Sequence, residues 1–300
     1  MRISSLQIHS QGLNALLDQQ RKLFDTQLQI STGRRIVQPA DDPTGSARLL
    51  DLGESMAITE QYQANIGAAR GRLQLEETTL DGVVGGLQRA RELVVRGLND
   101  TLGPEDRAAI AVELREILDE TLSLANRRDA SGEYIFAGNR TRQPPFEADG
   151  SGNFRYLGDQ GQRYLQVGPT RQVPVGDSGF DVFMKVPAPG GGYQDIFTTL
   201  YQAAEDMANG AGNPDSITAI DNSLDRVLAV QSDIGARLNS LDREQGVNES
   251  YLLQLEEAYG NIQDLDIAEA AARLSQKAAT LQAAQSAFVQ TRNLSLFDYL

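Results

Sequence analysis

The chain has 300 residues, a formal net charge of −14, and 40% hydrophobic residues, with no cysteine, no tryptophan and a single histidine, His9. That net charge repels nucleic-acid backbones and anionic lipid, and the basic residues are almost all arginine, with lysine only at Lys22, Lys185 and Lys277. Without cysteine it carries neither a disulfide framework nor a thiolate metal site.

No run of about eighteen apolar residues marks a membrane span. The opening, Met1-Arg2-Ile3-Ser4-Ser5-Leu6-Gln7, lacks the continuous apolar core of a secretory signal peptide. Export, if it occurs, is expected by a route that uses no such peptide. Along residues 1–32, Leu6, Leu13, Leu16, Leu23 and Ile30 recur at threes, fours and sevens, with Leu17 and Phe24 widening the stripe. That spacing predicts an amphipathic helix. Gly33 follows where a helix end recruits a left-handed residue. Pro39 and Pro43 forbid continuation. Asp42 then offers a carboxylate N-cap and Pro43 a first helical residue.

A long helix is predicted from there to about Asn99. Positions taken alternately three and four apart from Leu49 to Leu98 are two-thirds apolar, and at ~1.5 Å per residue the element spans roughly 75–80 Å, the dimension of a rod. Gly82, Gly85 and Gly86 lower helix propensity and leave room for a kink. Gly103-Pro104-Glu105-Asp106 starts another helix with acidic residues in its first turn. Ile110, Leu114, Ile117, Leu118 and Leu124 form its inner stripe, which ends near Arg127-Arg128-Asp129.

After Ser131-Gly132 the composition turns to Gly, Pro, Asp and aromatics as far as about Asp195. Tyr134–Phe136, Phe154–Leu157, Arg163–Val167 and Phe180–Met184 read as short strands between turn signals. A helix near Phe197–Ala208 and a Gly210–Pro214 break follow. From Ile220 to Ile262, ten of thirteen positions spaced alternately four and three are apolar, the clearest seam in the chain. Its polar members, Gln231, Gln245 and Asn248, are of the kind that set register. The last segment repeats Ile267, Leu274, Leu281 and Phe288 on an Ala- and Gln-rich background, and the chain closes on the apolar Leu294–Leu300.

The fold class predicted is mainly α with a small β-rich insertion: a long helical rod or coiled-coil bundle formed by the N- and C-terminal segments. Residues 1–44 with 265–300 form a terminal coiled-coil assembly region, 45–130 with 196–264 a long-helix rod, and 131–195 the insertion. The two chain ends are natural partners for each other. An unpaired amphipathic segment buries too little to offset roughly 1–2 kcal/mol per residue of ordering. Residues 1–32 and about 265–300 are therefore expected to be mobile before assembly and to be trimmed by protease, with about 45–260 spared.

Two stretches carry a resemblance. Ile30-Ser31-Thr32-Gly33-Arg34-Arg35-Ile36, followed by Pro39-Ala40-Asp41-Asp42-Pro43-Thr44-Gly45-Ser46-Ala47, resembles the signature loop of the flagellin superfamily. Gln38 and Ala40 are mild departures within it. Its matching residues here are Gly33, Arg35, Ile36, Pro39, Asp41, Asp42, Pro43 and Gly45. Met1–Ser4, Gly132–Gly138 with Pro144-Pro145-Phe146, and Leu294–Leu300 are similar to the superfamily branch that joins hook to filament. The resemblance implies a subunit exported by the flagellar type III apparatus to the extracellular flagellum. Copies of itself would form a junction ring there, with a proximal hook-associated junction protein on one side and flagellin on the other. It also implies an export chaperone on the C-terminal segment. The assembly residues expected are Leu6, Leu13, Leu16, Leu23, Ile30, Ile267, Leu274, Leu281, Phe288, Leu294 and Phe297.

Chemistry is sparse, and no cofactor, metal or catalytic residue is expected. Asp41-Asp42 reads as a helix cap and loop contacts rather than a cation site. Asp149–Asn153 resembles the start of a calcium loop, but Phe154 stands where that loop needs Gly and Gln160 where it needs Glu. Gly190-Gly191-Gly192 lacks the lysine and the strand-to-helix setting of a phosphate loop, and His9 has no second histidine or cysteine for company. A short flagellin forming the filament is the main alternative. An enzyme lacks its catalytic groups, and an adhesin would present Tyr156, Tyr164 and Phe180.

Overall fold

The computed structural model describes residues 5–99, 101–210 and 212–293. Among the described residues lie six α-helices: α1 (Ser5–Thr32), α2 (Pro43–Gly97), α3 (Pro104–Ala125), α4 (Ile196–Ala208), α5 (Asp215–Gln263) and α6 (Ile267–Asn293). Between α3 and α4 lie six strands of two or three residues. Two compact units result, Thr59–Glu249 and Met1–Ile58 with Ser250–Leu300.

In the unit Thr59–Glu249, the buried stripe of α2 contains Ile66, Ala69, Leu73, Glu76, Leu80, Val83, Leu87, Ala90 and Val94. The sequence reading had one half of this seam and misplaced the other. Ala69, Glu76, Val83 and Ala90 are the inner companions, not Arg70, Glu77, Val84 and Arg91. Of the latter, Val84 is only partly buried against the core and the two arginines serve as ion-pair partners: Arg70 meets Asp242, and Arg91 meets Asp221 at 2.6 Å. The helix also continues through its glycines. A methyl group at Gly82 would lie 3.0 Å from Leu124 Cδ1, so the missing side chain admits α3 rather than marking a kink.

The start of α3 follows its sequence signal. Gly103 precedes Pro104, Glu105 and Asp106. At α4, the Asp195 carboxylate accepts the Thr198 N–H at 2.6 Å, satisfying one of the orphan donors of a first turn. On α5, Ile220, Val227, Ile234 and Leu241 are fully buried as the seam predicts. Its polar members have partners. Gln231 donates to Asp81 at 2.6 Å, Gln245 accepts from Arg70 at 2.8 Å, and Asn248 donates to the Val167 carbonyl at 2.9 Å.

The insertion is three separate antiparallel ladders: β1 (Phe146–Ala148) with β2 (Phe154–Tyr156), β3 (Tyr164–Gln166) with β4 (Gln172–Pro174), and β5 (Val186–Pro187) with β6 (Tyr193–Gln194). Two expected strands are absent. Tyr134 makes only an isolated bridge to Arg128, and Phe180–Met184 is a π-helical turn. Val182 and Phe183 are adjacent yet both buried, which a strand, alternating its faces, does not provide. Phe183 packs against Phe136, Phe146 and Phe197 at centroid distances of 5.1, 5.3 and 5.6 Å, so aromatic burial organises this region more than strand pairing does. Asp149 accepts from the Ser151 and Asn153 N–H groups and from the Asn153 amide, a self-contained turn.

Charged groups tie the insertion to the helices. Arg237 of α5 grips Asp177 with two bonds of 2.9 Å. Arg72 of α2 reaches Glu133 at 3.2 Å and Asp129 at 3.4 Å, and Arg163 reaches Glu133 at 2.9 Å. Between them Glu76 is 2% exposed and accepts the Asp177 N–H at 3.1 Å. Burial, and then the nearby Asp177 carboxylate, push its carboxyl up to about 8. A carboxyl raised in the folded state favours folding below its ordinary value near 4.5, and that advantage is lost as pH rises towards about 8. The thermal midpoint of the full chain should therefore fall across that interval. Glu76→Gln, which keeps an acceptor for Asp177, should flatten the fall; an unchanged pH profile would refute the assignment.

Candidate assembly site

The unit of residues 1–58 with 250–300 is built on α1 and α6, which pack against each other. Their direction follows from three facing pairs. Gly12 lies against the Phe288 ring, Thr26 against Lys277, and Arg34 against Asp264. The helices are antiparallel and hold one register.

Of the expected assembly residues, Leu16, Leu23 and Ile30 on α1 and Leu274, Leu281 and Phe288 on α6 are half-buried in this seam. Leu13 and Ile267 are 46% and 61% exposed. Leu13 sits beside Gly12, which takes the inner position instead. Leu6 lies on α1 with its side chain outside the described set, and Leu294 and Phe297 fall outside the described residues. Phe24, at 64% exposed, Leu17 and Val289 also stay open.

Sequence reasoning missed Gly12, Thr26, Ala270 and Lys277. Thr26 is 1% exposed and Ala270 fully buried. The Lys277 ammonium donates to Thr26 Oγ1 at 2.7 Å and to the Lys22 carbonyl at 3.2 Å. The signal was available in the spacing. Ala270, Lys277 and Ala284 fill the three–four steps between the heptad residues, and all lie inside the pair.

At the base of the pair the signature loop closes on the turn between α5 and α6. The Arg35 N–H donates to the Gln263 carbonyl at 2.6 Å, and the Leu265 N–H donates to the Gly33 carbonyl at 3.1 Å. The Arg35 guanidinium adds two bonds, of 3.0 and 2.8 Å, to the Ile262 carbonyl. That places a cation on the orphan carbonyls and negative pole of the α5 C-terminus. Ile36 and Leu265 are buried under this clasp.

The loop residues divide the remaining work. Gly33 holds φ +68°, where a side chain is strained. Asp41 accepts the Val37 and Gln38 N–H groups at 3.0 and 2.9 Å, bending the chain ahead of the exposed Pro39. Asp42 caps α2, accepting the Gly45 N–H at 2.9 Å ahead of Pro43. A methyl group at Gly45 would meet Asp42 Oδ2 at 2.5 Å and Ile36 Cδ1 at 2.7 Å. Both aspartates are thus spent on backbone donors. Among the described residues no group of three or more His, Cys, Asp or Glu is placed to hold a metal, and no helix is long and apolar enough to cross a membrane.

These paired helical ends and their loop coincide with what known proteins share. The bacterial flagellin N-terminal helical region matches residues 3–141 and the bacterial flagellin C-terminal helical region matches residues 217–300. The chain belongs to the flagellin family. It is 29% identical to the flagellar hook-associated protein 3 of Salmonella typhimurium over 99% of both chains. To flagellin FlaB2 of Treponema pallidum it is 26% identical over 80% of this chain and 78% of that one. The crystal structure of flagellar hook-associated protein 3 from Legionella pneumophila shares the fold, with a TM-score of 0.67 at 22% identity, covering 70% of this chain and 98% of that one.

The clasp makes definite demands. Asp42→Ala should cost about 1 kcal/mol in denaturant unfolding of the full chain, with Asp42→Asn restoring most of it. Gly45→Ala should cost more than Asp42→Ala, since it must displace both the cap and Ile36. Wild-type stability of either alanine variant would contradict this geometry.

Proposed function

We propose that the chain is a structural subunit of the bacterial flagellum that forms the hook–filament junction ring on which flagellin assembles. The observation that carries this reading is the 29% identity to the Salmonella hook-associated protein over 99% of both chains, a longer and more identical match than those to the flagellins, at 24–26% identity over 80–93% of this chain for FlaB2 and the Halalkalibacterium halodurans flagellin. The work of such a subunit is burial rather than catalysis. Leu13, Leu17, Phe24, Ile267 and Val289 leave apolar surface on α1 and α6, and neighbouring copies would cover it. Residues 1–44 with 265–300 serve as the assembly region. Export runs through the flagellar type III apparatus, a chaperone holding the C-terminal segment beforehand. In the ring the subunit meets its own copies, the proximal hook-associated protein and flagellin.

A deletion strain should keep its hooks, lose its filaments and shed flagellin into the medium. The full chain should restore filaments, and a chain ending before Ile267 should not. Normal swimming without the gene would overturn the proposal. Long filaments grown from the pure chain without a nucleus would instead make it a filament flagellin.

A further inference from the structure

The apolar pattern of the paired ends does not select its own register. Leu16, Leu23 and Ile30 on α1 repeat every seven residues, as do Leu274, Leu281 and Phe288 on α6. Sliding one helix by a heptad leaves these residues facing one another. Within one chain the bridge between Arg34 and Asp264 ties the base of the pair. The α6 of a second copy has no such tether. In a reading where many copies assemble through these helices, slipped pairing between chains is a hazard that leucines alone do not prevent.

Two contacts do not repeat. The Lys277 ammonium finds Thr26 Oγ1 at 2.7 Å and the Lys22 carbonyl at 3.2 Å, and Thr26 is buried. One heptad to either side of Thr26 stand Gln19 and Gly33, neither a hydroxyl residue. The Phe288 ring occupies the place where a Gly12 side chain would be, 2.9 Å from its missing Cβ. One heptad further along α1 the residue is again Gln19, which closes that space.

We propose that Lys277 against Thr26, helped by Phe288 against Gly12, is a recognition key that admits α6 to α1 in one register only and rejects slipped pairing with the α6 of a second copy. The key rests on the assembly reading but acts in the isolated chain. A half-buried ammonium facing the Thr26 hydroxyl and the Lys22 carbonyl is paired; one heptad away it faces Gln19 or Gly33 and loses that buried hydroxyl.

The absence of cysteine permits a direct test on the purified full chain. Gln19→Cys with Leu281→Cys reports the native register, since both positions lie one heptad from the Gly12–Phe288 contact. Gln19→Cys with Leu274→Cys reports a one-heptad slip. On oxidation the native pair should give an intramolecular cross-link with either Lys277 or Lys277→Met. The slipped pair should give little covalent dimer with Lys277. Lys277→Met should raise that dimer about tenfold, the ratio that roughly 1.4 kcal/mol of lost discrimination produces. Thr26→Val, which keeps the shape and removes the hydroxyl, should do the same. Equal dimer in all backgrounds, or no native cross-link in any, would overturn the key. Because no flagellum is involved, a failed junction phenotype would leave this result standing, and a failed cross-link would leave that phenotype standing.

Discussion

Two backbone hydrogen bonds between the loop at Gly33–Arg35 and the turn at Gln263–Leu265 are what the paired ends depend on. They join segments more than two hundred residues apart in sequence and fix where α1 begins to face α6. Closing so long a loop costs entropy, and two bonds worth about 1 kcal/mol each do not offset it alone. Arg35 on the α5 carbonyls, the Asp42 cap and the burial of Ile36 and Leu265 complete the clasp. The signature residues act together: glycine to turn the chain, arginine to bind the opposite helix end, aspartates to stop one direction and start another.

Above the clasp the pair is narrow. Its seam holds Gly12, Thr26, Ala270 and Ala284 among its larger residues, and Leu13, Phe24 and Ile267 point away from it. Two helices with so little shared apolar area are poorly stabilised in water. The unit Thr59–Glu249 is different in kind, with a continuous core and an aromatic cluster in which Phe136, Phe183 and Phe197 are fully buried. One chain thus carries a body with its own continuous core and a narrow pair of ends, the division on which the proposed assembly rests.

Much of this was legible in the residues. Helix periodicity, the caps at Asp42 and Gly103-Pro104, and the α5 seam through its polar exceptions needed only local rules. So did the loop, because its turn chemistry is written in consecutive residues. The companion positions on α2 were not, since choosing Ala69 over Arg70 depends on which neighbour packs there. Phe180–Met184 looked like a strand by composition, and the aromatic cluster that bends it into a helical turn is assembled from residues as far apart in sequence as Phe136 and Phe197. Lys277 was hidden for another reason. A lysine in a seam reads as solvated until Thr26, on the other end of the chain, is known to face it.

Hydrogen exchange of the full chain, free and then assembled, tests the central claim most directly. In the free chain the amides of α1 and α6 should exchange far faster than those of Leu73–Leu93, and assembly should slow the ends to match. Protection along α1 and α6 equal to that core in a demonstrated monomer would contradict the account.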